Sequence, residues 1–269
     1  MKGGWLRIYA IGYLVFLYLP VVLLPMFAFN EGTVIAFPLK GFTTEWFVQL
    51  AGIEALHGAL LNSVFIALVT ASLSVIFGIC AARASTRFRF PFKGPIMGAI
   101  MVPLVLPEII VAVSLLVVVV QVLDLPLSAW TVIAGHTLIC TPFAIAILSS
   151  AFQGLDQSLE EAAVDLGETR WGAFKNIILP LVSPGIVASF LICFTISLDE
   201  FIIAFFLTGA EPTLPVYIWS QLRFPTKIPA VMALGTLMLV ASLIILSVAE
   251  YYRRRGVERV GGKDSGGFL

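Results

Sequence analysis

Three carboxylates are the side chains best placed to do chemistry, because each interrupts a long apolar stretch. Asp199 and Glu200 sit side by side in Ser197-Leu198-Asp199-Glu200-Phe201-Ile202-Ile203-Ala204, and Glu108 follows Pro107 in Pro103-Leu104-Val105-Leu106-Pro107-Glu108. A charge at membrane depth is costly and turns toward protein or water, which makes it a candidate for a translocation path. No Lys or Arg occupies the central part of an apolar segment to neutralise these acids. Either they protonate, or a partner subunit or a passing cation supplies the charge; such a path suits an amine. Thr195 lies one turn before Asp199, and Ser197 lies three residues before Glu200, so both hydroxyls are in reach for shared hydrogen bonds. On one continuous helix the two adjacent carboxylates would diverge by about 100°. Pro103 and Pro107 each remove a backbone donor near Glu108, and broken backbone at membrane depth is tolerated where it lines a cavity or is buried in protein. The alternative for all three acids is interhelix hydrogen bonding or a place at the outer interface.

Catalytic constellations are not among the sequence's motifs. There is no Walker lysine loop, no His-Glu-x-x-His, no Gly-x-Ser-x-Gly elbow and no dinucleotide fingerprint. His136, in Gly135-His136-Thr137, reads as a hydrogen-bonded packing residue rather than a ligand or proton relay. Cys80, Cys140 and Cys193 lie in three different apolar segments without metal-like spacing and read as small buried hydrophobes. The expectation is a transport subunit with no catalytic residues, no metal site and no cofactor of its own.

The elements that position the acids are apolar helices. Hydrophobic residues make up 59% of the 269 residues and charged ones only 12%, against about 25% charged in soluble domains; mean hydropathy is +1.03. This is a polytopic membrane protein, all-α, organised as a single transmembrane domain over residues 1–269. A formal net charge of zero argues against a nucleic-acid partner. Six spans are expected at about 8–29, 59–82, 94–123, 129–152, 179–208 and 230–252. The first, about 22 residues or roughly 33 Å of helix, is long enough to cross the hydrocarbon core and lacks a cleavage site, so it is read as retained. Residues 30–58 form a polar connector in which Thr43 or Thr44 caps a short interfacial helix carrying Trp46 and Phe47. Residues 253–269 read as a basic, Gly-rich, disordered tail. Six spans put both termini on one side. Of the 16 Lys and Arg, only Lys40, Arg223 and Lys227 fall in connectors of the other side; the remaining 13 place the termini in the cytoplasm.

Between the fourth and fifth spans, residues 153–178 form the one extended polar island. Ser158 and Glu161 have the spacing of a capping box. Leu159, Ala162, Ala163 and Leu166 recur as an amphipathic stripe, and Gly167 suits the left-handed residue that ends a helix. Trp171, Phe174, Ile178 and Leu181 make a second stripe. The island reads as helix, tight turn, helix, with a small-residue ridge at Ala162, Ala163 and Gly167. Glu160, Glu161, Asp165 and Glu168 offer a charged rim.

Glu161-Ala162-Ala163, then Gly167, Ile177 and Leu179-Pro180, resembles the signature loop of bacterial ABC importer permeases. Ser197-Leu198-Asp199-Glu200, Pro103-x-x-x-Pro107-Glu108, Asn62-Ser63 and Thr213-Leu214-Pro215 resemble stretches of the smaller permease of spermidine/putrescine-type importers, and the likeness covers about residues 8–255. The resemblance implies a type I ABC importer permease fold in the bacterial inner membrane, moving a polyamine by alternating access. It implies a coupling helix that docks on an ATPase, with Glu160, Glu161, Ala162, Ala163, Asp165, Leu166, Gly167, Arg170 and Trp171 as coupling residues, and a path lined by Asp199, Glu200, Glu108 and Thr195. The implied partners are a second homologous permease, a cytoplasmic ATPase dimer that holds ATP and Mg, a periplasmic or lipid-anchored substrate-binding protein, and membrane lipid. Alternatives are an amino acid, opine or other amine as cargo, or an ion-coupled secondary transporter.

Overall fold

The structure is a computed structural model and describes residues 3–156 and 158–259. Among the described residues it is helical, with one isolated backbone bridge between Asn30 and Phe42. Among the described residues, five helices are long and apolar enough to cross a membrane, and a bent pair raises this to as many as six. Chain contacts divide the protein into two compact units, residues 1–58 with 216–243, and residues 59–215 with 244–269.

In the first unit, helix α1 (Gly3–Ala28) runs unbroken through Pro20 and Pro25. The connector after it is tied into a knot around Asn30. The Asn30 carbonyl accepts the Trp46 Nε1–H at 2.8 Å, and its Oδ1 accepts the Lys40 N–H at 3.0 Å. Phe29 stacks on Phe42 and Phe47. Helix α2 (Glu45–Leu50) is the expected short helix, and Thr43 Oγ1 accepts the Glu45 N–H at its start. Trp46 is thus held by the connector rather than left free at an interface.

The second unit is organised around α3 (Glu54–Arg87), α6 (Ala129–Gln153) and α9 (Leu179–Asp199). Small residues let them approach closely, the usual device of membrane helices that lack a hydrophobic drive toward one another. A Cβ built on Gly78 of α3 would lie 2.8 Å from the Ala144 Cβ of α6. Cys140 and Cys193 meet at the α6–α9 contact, where each sulfur points at the other's carbonyl. Buried Ala82, Leu148, Phe152, Phe174, Ile178 and Val182 form a second cluster toward the polar loop.

Three expected spans are altered. Residues 94–123 are not one helix: α4 (Lys93–Met101) continues through a 3-10 turn, Val102–Leu104, and α5 (Glu108–Val117) through a π turn, Val118–Val122, with a bend of 101° between them. Pro103 and Pro107 remove donors from the i→i−4 ladder, and Pro107, at ψ 128, redirects the chain before α5. Residues 179–208 also break, because α9 ends at Asp199 and α10 (Ile202–Leu207) begins after an extended Glu200 (φ −68, ψ 118). At the other end the helical path begins earlier than expected, because α8 (Arg170–Ala173) joins α9 through a π turn, Phe174–Ile178. After α11 (Leu214–Gln221), α12 (Ile228–Arg259) continues through residues 253–259, expected as tail; residues 260–269 lie outside the described residues.

Two motifs about 150 residues apart in sequence are brought together within the first third of α3. Asn62 Nδ2 donates to the carbonyls of Glu211 (2.9 Å) and Pro212 (3.3 Å), and Ser63 Oγ accepts the buried Leu214 N–H at 2.7 Å.

Candidate functional site

The polar island folds as helix, turn, helix. Helix α7 (Ser158–Asp165) is not capped by Ser158, as its spacing suggested. Ser158 is its first residue, and its N–H is accepted by Asp156 Oδ1 at 2.9 Å. Aspartate two positions upstream reaches the orphan donor that a Ser158 hydroxyl in the first turn would leave open. The same bond holds the Asp156 carboxyl below its usual range. The other end of α7 follows the expectation. Gly167 has φ +97, the Glu168 N–H returns to the Ala163 carbonyl (3.0 Å), and the Gly167 N–H returns to Val164 (2.9 Å). These are the two reciprocal bonds of a Schellman stop. Thr169 then caps α8 by accepting the Gly172 N–H at 3.0 Å.

The island's apolar stripe is turned outward. Of Leu159, Ala162, Ala163 and Leu166 only Ala163 is buried, while Leu166 is 88% exposed and Trp171 is 70% exposed. Trp171 touches the buried Phe174 ring (centroids 5.5 Å apart), so its base is anchored while its body is presented. Glu161, Ala162, Asp165, Gly167 and Arg170 share this exposure. Exposed apolar side chains ringed by charge on a stiff turn are the marks of a protein-docking surface.

Glu160 does not belong to the charged rim. Its Oε1 pairs with Arg83 Nη2 at 3.0 Å and its Oε2 with Arg87 Nε at 3.3 Å, and its side chain is 14% exposed against 72% for Glu161. Two adjacent glutamates therefore differ: Glu160 ties α7 to α3 through both oxygens, while Glu161 is exposed and reaches Arg87 only at 3.9 Å. The signal for this pairing was Arg83 and Arg87 at i, i+4 near the end of α3, but nothing local connects them to a glutamate 77 positions away.

The acids sit at helix breaks. Glu108 is in the first turn of α5, and Glu200 Oε1 accepts the Ile203 N–H at 3.1 Å, capping α10. Helices α5 and α10 pack together, so the helix starts that carry Glu108 and Glu200 belong to one packed pair. Asp199 closes α9 as an exposed residue. The hydroxyls do not serve the acids. Thr195 Oγ1 donates to its own helix at the Leu191 carbonyl (2.9 Å), and Ser197 Oγ lies 2.8 Å from His136 Nδ1. His136, 1% exposed, thus bridges α6 to α9, in keeping with the packing role.

Comparison with known proteins places this geometry. The family described as "Binding-protein-dependent transport system inner membrane component" matches residues 74–257. The spermidine/putrescine transport system permease protein PotC of Escherichia coli (strain K12) is 32% identical over 256 residues, covering 94% of each chain. The putrescine transport system permease protein PotI of the same strain is 33% identical over 249 residues, covering 89% of this chain and 87% of its own. In fold, the chain matches a bacterial ABC transporter involved in the import of the acidic polysaccharide alginate, with a TM-score of 0.70 at 17% identity over 93% of this chain and 95% of that one. It also matches an amino acid ABC transporter, with a TM-score of 0.56 at 17% identity over 80% of this chain and 100% of that one. The apolar helices are those of a multi-pass membrane protein, and the chain belongs to the family of binding-protein-dependent transport system inner membrane components.

Proposed function

We propose that this chain is the permease subunit of an ATP-driven importer and that its cargo is a polyamine of the spermidine or putrescine type. The observation that carries the cargo is the acid set: Glu108 and Glu200 stand at the starts of α5 and α10, two helices that pack together, Asp199 is adjacent to Glu200, and no Lys or Arg occupies the central part of a span. Such a site is completed by a polycation. The relatives named for spermidine and putrescine, identical at about one position in three along nearly the whole chain, support the same cargo. The positive-inside imbalance supports a topology with both termini and the α7–α8 loop in the cytoplasm of a bacterium. There the loop docks on an ATPase dimer, which holds ATP and Mg and carries out hydrolysis. A second homologous permease completes the pathway, and a periplasmic or lipid-anchored binding protein delivers cargo. Closure of the ATPases moves the loop, rocks the helices and alternates access to the acids.

The test is ATP hydrolysis and radiolabelled uptake by the complete complex in proteoliposomes, with binding proteins loaded with spermidine, putrescine or a neutral amino acid. Wild type is compared with the double variant Asp199→Asn/Glu200→Gln. Spermidine- or putrescine-dependent stimulation, with uptake weakened by neutralisation, is the expected result. Stimulation by the amino acid alone, indifferent to neutralisation, would replace the polyamine with another solute. Ion-driven uptake by this chain without an ATPase would replace the importer itself.

A further inference from the structure

Arg83 has more ties than a docking loop requires. Its guanidinium pairs with Glu160 of α7 and also lies 4.2 Å from the centroid of the Phe174 ring, in the π turn that follows α8. Both arms of the loop, on either side of the exposed Gly167 turn, therefore converge on one side chain of α3. Arg87, one turn further, takes the second oxygen of Glu160. The three charged side chains are largely withdrawn from solvent, so their attraction is less screened than that of a surface pair. Phe174 is itself part of the buried cluster with Ala82, Phe152 and Ile178. If the loop needed only internal stiffness, its own caps would provide it; these ties instead run to α3.

Within the first third of α3, Asn62 and Ser63 tie the helix to the segment around 211–214 by hydrogen bonds. Arg83 lies twenty residue steps along unbroken helix from Ser63, about 30 Å at the α-helical rise. Helix α3 contains no proline, whereas α1, α6, α9 and α12 each contain at least one. An intact hydrogen-bond ladder resists kinking and carries an axial or tilting displacement from end to end.

We propose that Arg83 is a positioning residue that makes α3 a push-rod: motion of the α7–α8 loop is delivered along α3 to the 211–214 segment. This rests on the importer reading, in which partner ATPases move the loop. Arg83 touches no cargo. It decides whether ATP hydrolysis is converted into movement on the opposite side of the membrane.

The experiment uses the complete complex in lipid nanodiscs with spin labels at Glu211→Cys and Leu125→Cys in a Cys80→Ser background. Both labelled side chains are exposed, and Glu211 is bound to Asn62 only through its backbone carbonyl. The distance distribution between the labels is expected to shift on trapping with ATP, Mg and vanadate in the parent protein and to stay fixed in Arg83→Ala. In proteoliposomes, with the ATPase still co-purifying and still hydrolysing ATP, spermidine uptake per ATP is expected to fall about tenfold in Arg83→Ala, within the usual range of coupling factors. Arg83→Lys keeps the charge but loses the flat face over Phe174, and a fall of about threefold is expected; it also carries the test if the alanine variant does not assemble. An unchanged uptake-to-ATP ratio, or a label shift that survives Arg83→Ala, would overturn the push-rod, as would a parent protein whose labels do not move. A label shift without spermidine uptake in the parent would sink the polyamine reading and leave the push-rod standing.

Discussion

Gly167 offers the sharpest test of how the docking loop is built, because its cost on substitution has one source. Its φ is +97, and a Cβ built there meets nothing within 4 Å. Replacing it therefore adds no clash within the chain; the penalty is the backbone strain of an L-residue at positive φ, about 1–2 kcal/mol. That strain shifts the equilibrium between the closed and open turn by about five- to thirtyfold. The assay is amide hydrogen exchange, read at Gly167 and Glu168, whose N–H groups make the two closing bonds of the turn. Gly167→Ala and Gly167→Leu should accelerate exchange equally, since side-chain size is irrelevant in open space, and Gly167→Asn should do so less because asparagine tolerates left-handed conformations. On the proposed function, in which an ATPase docks on this loop, leucine should weaken ATPase co-purification more than alanine. Exchange at these two amides unchanged by Gly167→Ala would refute the strain argument.

Further expectations follow from the same geometry. Gly78→Leu must push into Ala144 and Leu148, with the nearest contact at 2.8 Å, and should lower the thermal midpoint of the detergent-purified protein by an overpacking cost of about 1–3 kcal/mol. Leu166→Ser should leave that midpoint unchanged, since the side chain touches solvent, while reducing ATPase co-purification. Glu200→Ala should cost about 1 kcal/mol by removing the cap of α10, whereas Glu200→Gln keeps an acceptor for the Ile203 N–H and should show its defect in uptake rather than in stability. The Asp156 carboxyl is held below the ordinary aspartate value of 3.8 by its bond to Ser158, so its contribution to the start of α7 is present above that value and is lost as pH falls through the lower folded value. Exchange of the Ser158 amide should accelerate over that acid window in the parent protein, and Asp156→Asn should abolish the dependence.

How much of this was legible in the sequence depends on the range of the interaction. The Schellman stop at Gly167 and the turn after it follow from residues within a few positions of one another, and the structure has them. The apolar helices also follow from local composition. The cap of α7 is not legible because Asp156 and Ser158 are both competent and spacing alone does not decide which reaches the orphan amide. The breaks at Leu106–Pro107 and Glu200–Phe201 differ in kind. The first carries prolines that announce it; the second has no Gly or Pro within it and is set by the packing of α10 against α5 and α6. Glu160 was placed on the rim with its neighbours because α7 by itself does not show which face is turned to Arg83. Long-range pairs such as Glu160–Arg83 and Ser63–Leu214 are invisible to periodicity, even though Glu160, Ser63 and Leu214 each lie in a motif that the sequence marks out.

The breaks bear directly on the acids. In the sequence Asp199 and Glu200 looked like two carboxylates in the middle of one apolar helix, needing a proton, a partner or a passing cation to offset their charge. The structure supplies another contribution: Glu200 stands at the N-terminus of α10 and accepts a backbone N–H there, and Glu108 occupies the first turn of α5. Free N–H groups and the positive end of the helix favour a carboxylate at such positions, by about 0.3–1 kcal/mol at exposed sites and up to about 2 kcal/mol in partly buried ones. That is smaller than the several kcal/mol lost when an ion leaves water, so the helix ends offset the cost without cancelling it. A lysine or arginine in the same place would have cancelled far more and left nothing for a cargo cation to satisfy. On the proposed function, the broken helices hold the acids in place with part of their charge unmet. Cargo then binds by completing the site and leaves when movement of α5 and α10 separates Glu108 from Glu200.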